Sequence, residues 1–279
     1  ADDSALFQSW GSITIINPLE KIWNGYSDTR MGASMDSYLN GYNDPRLPVY
    51  FQPVTEGDNK GEYRGVANGM PNPQQDDYKA MSAPNVQEKS TDSPLRWMMA
   101  SEVAFLRAEG AMRGWTAEMG GTAEEFYNKG IELSFLENGL SADAAARYAA
   151  DETSKPTDFT DVSAANTKYN ISALGKITIK WNAGASEEEQ LERIITQKWI
   201  AMFPNGTEAW SEFRRTGYPL IFPVRSNYPT SGVDTNKQIR RMVFPQSEYS
   251  NNGAAVQEAV KLLGGPDNGG TKLWWDKKN

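Results

Sequence analysis

Neither cysteine nor histidine occurs anywhere in the 279-residue chain. These two absences exclude Ser-His-Asp and Cys-His catalysis, thiolate nucleophiles and zinc sites built from Cys and His. Disulfides and thioether attachment of haem are excluded as well. No side chain has an unperturbed pKa near neutrality, so any catalysis would fall to Asp, Glu, Lys, Tyr or Arg. Long apolar runs are also missing. Ile13-Thr14-Ile15-Ile16 and Trp199-Ile200-Ala201-Met202-Phe203 fall far short of the ~20 residues of a membrane-spanning helix, and no secretory leader is recognisable. Basic charge is outnumbered: 28 Lys and Arg against 36 Asp and Glu leave a net charge of −8. That balance argues against a nucleic-acid partner, whose footprint is a basic patch.

Aromatic residues are plentiful, with 9 Trp, 12 Tyr and 10 Phe. Trp either fills a core or offers a flat platform to a ligand, and position along the chain is the first guide to which. Residues 1–93 are loop-rich, with turn formers crowded between Asn40 and Pro84, including Pro71-Asn72-Pro73. Asn17-Pro18 predicts a short helix through Leu19, Ile22 and Trp23, and the spacing of Met31, Met35 and Leu39 predicts another.

Residues 94–217 change character. Ser93 reads as a cap with Pro94 in the first turn, which predicts a helix reaching about Arg113 and stopping at Gly114. Ala100, Ala104, Ala108 and Ala111 form a small-residue stripe on it that admits a close helical neighbour. Thr122-Ala123-Glu124-Glu125 is a capping box opening a helix that Asn138-Gly139 ends. The two form a helical hairpin. Ser141–Ala150 predicts a third helix, and Ile177–Trp181 a strand-like piece. Ser186-Glu187-Glu188-Glu189 opens a helix to Met202, its acidic first turn suited to the helix dipole. Thr207 is expected to cap a short helix through Arg215. In the last stretch, 218–279, a Pro-rich loop leads to a helix over Ala254–Leu263, capped by Asn252, and a tail bearing Trp274-Trp275. The fold class is therefore mainly α, with tetratricopeptide-like helical hairpins and long ordered loops; the strict repeat pattern is not visible.

A glycosidase needs two opposed carboxyls. Glu102 and Glu109 share one helix face about 10.5 Å apart along the axis, side by side, so they read as structural, Glu109 pairing with Arg113. Asp58-Asn59-Lys60-Gly61-Glu62 and the pair Asp158, Asp161 match no EF-hand loop, and no phosphate-binding glycine motif occurs. No metal and no cofactor are expected. Trp97, Trp115, Trp199 and Trp210 lie in or beside helices and read as core. Trp10, Trp23, Tyr26, Tyr63, Trp181, Trp274 and Trp275 fall in irregular segments, where aromatic rings can stack on a sugar while nearby polar groups fix its hydroxyls. The candidate carbohydrate-binding residues are Trp10, Trp23, Tyr26 and Tyr63, with Asp28 and Arg30 beside Trp23 and Tyr26 as the orienting polar pair.

Four segments in order resemble one family. These are Asn40-Gly41-Tyr42-Asn43-Asp44-Pro45-Arg46-Leu47-Pro48, Ser101–Ala111, Gln197–Phe203 followed by Glu208–Pro219, and Arg240–Tyr249. Together they resemble SusD/RagB-like proteins across essentially the whole chain. The resemblance implies a non-catalytic cell-surface lipoprotein of a Gram-negative outer membrane, with an α-helical superhelical fold. It would bind oligosaccharides and deliver them to a TonB-dependent SusC-like transporter. A peptide-binding protein or a purely structural partner of that transporter is the alternative. Family members are typically nearly twice this length, and the matched segments belong to their C-terminal part. Residues 1–279 are thus expected to be the C-terminal SusD/RagB-like region, held at the membrane only through a lipid anchor outside this chain.

Overall fold

A computed structural model describes residues 2–10, 12–71, 73–85, 93–227 and 232–278; Asn72 and part of the Pro-rich loop lie outside them. Its elements in chain order are β1 (Ala5–Phe7), α1 (Pro18–Glu20), a π-helical turn (Lys21–Tyr26), α2 (Ala33–Gly41), α3 (Leu47–Tyr50) and α4 (Gln75–Tyr78). They are followed by β2 (Leu95–Met98), α5 (Ala100–Met112), α6 (Thr116–Met119), α7 (Ala123–Glu137) and α8 (Ala142–Ala149). The chain closes with α9 (Glu187–Ala201), α10 (Gly206–Thr216) and α11 (Gln246–Leu262). The architecture is mainly helical, as the sequence predicts. None of the described helices is long and apolar enough to cross a membrane.

Helix α5 is the hub, packing on α7 and α9, while α7 packs on α8. The alanine stripe explains the close approach: Ala108 is fully buried, and a Cβ at Gly130 of α7 would stand 2.7 Å from the Phe105 ring of α5. Phe105, Tyr127, Ile131, Phe135, Ile194 and Ile200 fill the centre of the core. Burying an aliphatic or aromatic side chain of this size is worth about 1.5–3 kcal/mol against leaving it in water. Most predicted caps form. Asn17 accepts from Leu19 N, Thr122 and Glu125 make the reciprocal box, and Ser141 and Ser186 accept from Ala144 N and Glu189 N.

Four expectations are corrected. The helix expected from Ser93-Pro94 begins only at Ala100, because Leu95–Met98 is taken up as β2, antiparallel to β1. The cap of α10 is Asn205, whose side chain accepts from Glu208 N, not Thr207. The last helix starts at Gln246 and breaks at Asn252, whose backbone is non-helical. Ile177–Trp181 is not a strand: Ile177, Ile179 and Trp181 alternate inward as a strand would, but the segment has no ladder partner among the described residues.

Buried charge is paired, as two clusters show. Arg46 and Asp44, both fully inaccessible, are 2.6 Å apart, with Ser134 and Gln197 taking further guanidinium hydrogens. Lys198, 1% exposed, sits 2.6 Å from Glu208 and 2.7 Å from Glu212. An ionic partner and hydrogen bonds for each charged head are what make such burial tolerable.

Candidate functional site

The loop after the π-turn, the start of α2, the end of α9 and the length of α10 enclose a cavity of about 340 Å3. Trp23 forms part of its wall, stacked on Phe203 with ring centroids 6.3 Å apart and planes within 6°. Trp199 and Trp210 contribute two further indoles. Trp199 meets Tyr38 edge-on at 5.7 Å. Trp210 is held rigidly: its indole N–H donates to Ile239 O at 2.8 Å, and the Arg214 guanidinium covers its ring at 3.6 Å. The exposed Asn68 and the amide of Gln238 supply polar groups. Gln238 is itself positioned, its backbone at φ 56° and its Nε2 donating to Phe222 O at 3.1 Å. Trp210 and Gln238 also line an adjoining cavity of about 360 Å3 with Val224, Ile239 and Met242. Both volumes fall in the range of small-molecule sites.

The predicted residues are only partly brought together. Trp23 and Arg30 line the cavity. Arg30 is a staple as well, since its guanidinium donates to Ser27 O and Thr29 O at 2.8 Å and to Lys79 O at 2.8 and 3.2 Å. Burial pulls its pKa below the usual arginine value, against the opposing pull of Tyr78 and Asp28. Asp28 and Tyr26 are exposed close by in sequence but are not part of the wall. Tyr63 packs on the core, and its carbonyl accepts from Asn40. Trp10 lies apart in the amino-terminal segment, 82% exposed, in a backbone bridge with Ile13.

The division of tryptophans by local position needs revision. Trp181, placed among the platforms, is 8% exposed and packs on Tyr127 at 5.2 Å. Trp97 and Trp115, read as core, are 68% and 57% exposed. Trp199 and Trp210, also read as core, are half-buried and line the cavity. Among the described residues there is no cluster of three acidic side chains able to hold a metal ion.

The family model for SusD-like proteins, described as SusD and RagB outer membrane lipoprotein, matches residues 1–276. The chain belongs to this family. A chitin-binding SusD homologue from Flavobacterium johnsoniae superposes with a TM-score of 0.88 at 42% identity, over 100% of this chain and 55% of that one. A homologue from Bacteroides vulgatus gives 0.90 at 37%, over 100% and 54%. One from Bacteroides thetaiotaomicron gives 0.88 at 41%, over 100% and 57%. The chain therefore spans just over half the length of these solved SusD homologues and shares their helical fold. No match was found among curated proteins.

Proposed function

We propose that this SusD-like chain is the glycan-binding part of a non-catalytic, cell-surface lipoprotein that hands oligosaccharides to a TonB-dependent SusC-like transporter. The observation that carries the reading is the cavity walled by Trp23, Trp199 and Trp210 with Asn68 and Gln238 beside them. Indole faces remove the apolar face of a sugar ring from water, and amides give and take hydrogen bonds with its hydroxyls. The adjoining cavity across Trp210 and Gln238 makes the groove long enough for more than a single ring. The chitin-binding name of a 42% identical homologue makes N-acetylglucosamine oligomers the first ligands to try.

A non-catalytic role agrees with the carboxylates. Glu109 is tied to Arg215 at 2.6 Å and to Arg113 at 2.7 Å, and among the described residues no carboxylate lines the aromatic cavity. A panel of soluble oligosaccharides presented to the 279-residue protein tests the reading. Binding that is lost in Trp210→Ala, with the ligand recovered unchanged, is the expected result. Cleavage of the ligand would contradict the non-catalytic assignment, and a folded protein that binds no glycan would favour the transporter-partner alternative.

A further inference from the structure

The tail after α11 reaches the aromatic site without lining it. Asp276 N donates to Leu273 O at 3.0 Å, a turn that sets Trp275 and Asp276 against α10 and residues 237–240. Asp276 is buried and closes side-on onto the buried Arg240, whose Nε donates to Oδ2 at 2.7 Å and Nη2 to Oδ1 at 2.6 Å. Two parallel charge-assisted bonds fix the orientation of the guanidinium as well as its place. Further on, Lys278 pairs with Glu188 at the start of α9 and stands 5.0 Å from the Tyr218 ring centre, so the tail is tied at a second point.

Arg240 passes this restraint to the cavity wall. Its Nη2 also donates to Arg214 O at 2.8 Å, and its carbonyl accepts from Arg214 Nη1 at 3.1 Å. The two residues before it carry groups of the site: Ile239 O receives the Trp210 indole N–H, and Gln238 lines the cavity. Gln238 holds φ 56°, a left-handed conformation that a residue with a side chain keeps only where its surroundings impose it. Trp275 acts on Arg214 directly. The Arg214 guanidinium lies 3.6 Å from the Trp210 ring centre and 4.9 Å from that of Trp275. Its Nε–H has no hydrogen-bond partner among the described residues. Apart from Arg240 O and a 3.4 Å bond to Ser211 Oγ, the two indole faces are what hold this cation, and such contacts strengthen where water is excluded.

We propose that Trp275 and Asp276 are positioning residues for the aromatic cavity: Trp275 seats Arg214 on the Trp210 indole, and Asp276, through Arg240, seats the Gln238–Ile239 segment that holds the indole N–H and presents the amide. Their consequence for ligand rests on the glycan-binding reading of that cavity. A platform fixed before the sugar arrives avoids the entropy cost of being ordered on binding. Neither Trp275 nor Asp276 lines the cavity, so an effect of either on ligand passes through Arg214 and Arg240.

The test labels the 279-residue protein with 5-fluorotryptophan and follows the fluorine resonance of Trp210, identified as the one that Trp210→Phe removes. In Trp275→Leu, which keeps an apolar side chain without a ring face, that resonance should move while that of the buried Trp181 stays. Trp275→Phe, which restores a ring, should return it toward its wild-type position. Calorimetric titration with chito-oligosaccharide should show about a two- to fivefold loss of affinity in Trp275→Leu and recovery in Trp275→Phe. Asp276→Asn, which keeps the shape and removes the charge, should also shift the Trp210 resonance and weaken binding, and it stands in if Trp275→Leu does not fold. An unmoved Trp210 resonance in the folded variants, or a moved resonance with undiminished affinity, would overturn the proposal. So would a lower unfolding midpoint as the only change, which would make the tail a stabilising strap alone. A wild-type protein that binds no chito-oligosaccharide would contradict the glycan reading instead, and the resonance would still decide whether the tail sets the ring.

Discussion

Lys198 and Glu109 show how single residues keep charge inside a helical core. For Lys198, burial works to lower the pKa, but Glu212 and Glu208 outweigh it and the value lies above the ordinary one. A raised lysine contributes stability that is complete below its unfolded pKa and is lost only as alkaline pH passes the folded value. Replacing Lys198 with Met leaves Glu208 and Glu212 facing each other without their shared cation. Denaturant titration should show a loss of about 3–5 kcal/mol, the cost of breaking a buried pair. Glu109 has the opposite sign. Burial acts to raise it, but Arg215 and Arg113 hold it below the usual carboxylate range. Its contribution is complete above the unfolded value of about 4.3 and is lost as pH falls through the depressed folded value. An acid titration of wild type against Glu109→Gln should therefore converge at low pH and separate toward neutrality. Curves that stay parallel would contradict the assignment.

At the scale of elements, helix ends could be read from the chain because their chemistry is local. An N-cap side chain reaches a backbone N–H two or three residues away, and Asn17, Thr122, Ser141 and Ser186 do so where expected. The start of α5 could not be read this way. Leu95–Met98 pairs with Ala5–Phe7, some ninety residues earlier, and no local signal reports so distant a partner. The tryptophans fail for a related reason. A helical Trp such as Trp210 faces either core or cavity according to what packs beside it, and spacing alone does not distinguish the two. The α5–α7 contact gives an element-scale prediction in which the usual rule reverses. Gly→Ala inside a helix ordinarily stabilises by about 0.5–1 kcal/mol. At Gly130 the new methyl would meet the buried Phe105 ring at 2.7 Å, so overpacking dominates. Gly130→Ala should lower stability by about 1–3 kcal/mol, seen as a lower urea midpoint at unchanged slope. A rise in the midpoint would show that the ring can yield.

At the scale of the whole molecule, much of the surface is irregular yet held. Long loops converge on the α9–α10 corner, and side-chain bonds such as Arg30 to Lys79 O and Arg64 to Thr160 O tie distant loops together. Those ties hold the loops around a cavity walled by helix-borne indoles, which is how a scaffold of hairpins can present a ligand site. The sequence placed only Trp23 and Arg30 of its six candidates on that wall, because assembly of the wall depends on the approach of α10. The most direct test is the equilibrium affinity of the 279-residue protein for chito-oligosaccharide, measured by calorimetry for wild type and for Trp23→Ala. The account predicts binding by wild type and a loss of about tenfold or more, ~1.4 kcal/mol, in the variant with its unfolding midpoint retained. Unchanged affinity in a folded Trp23→Ala protein would contradict it.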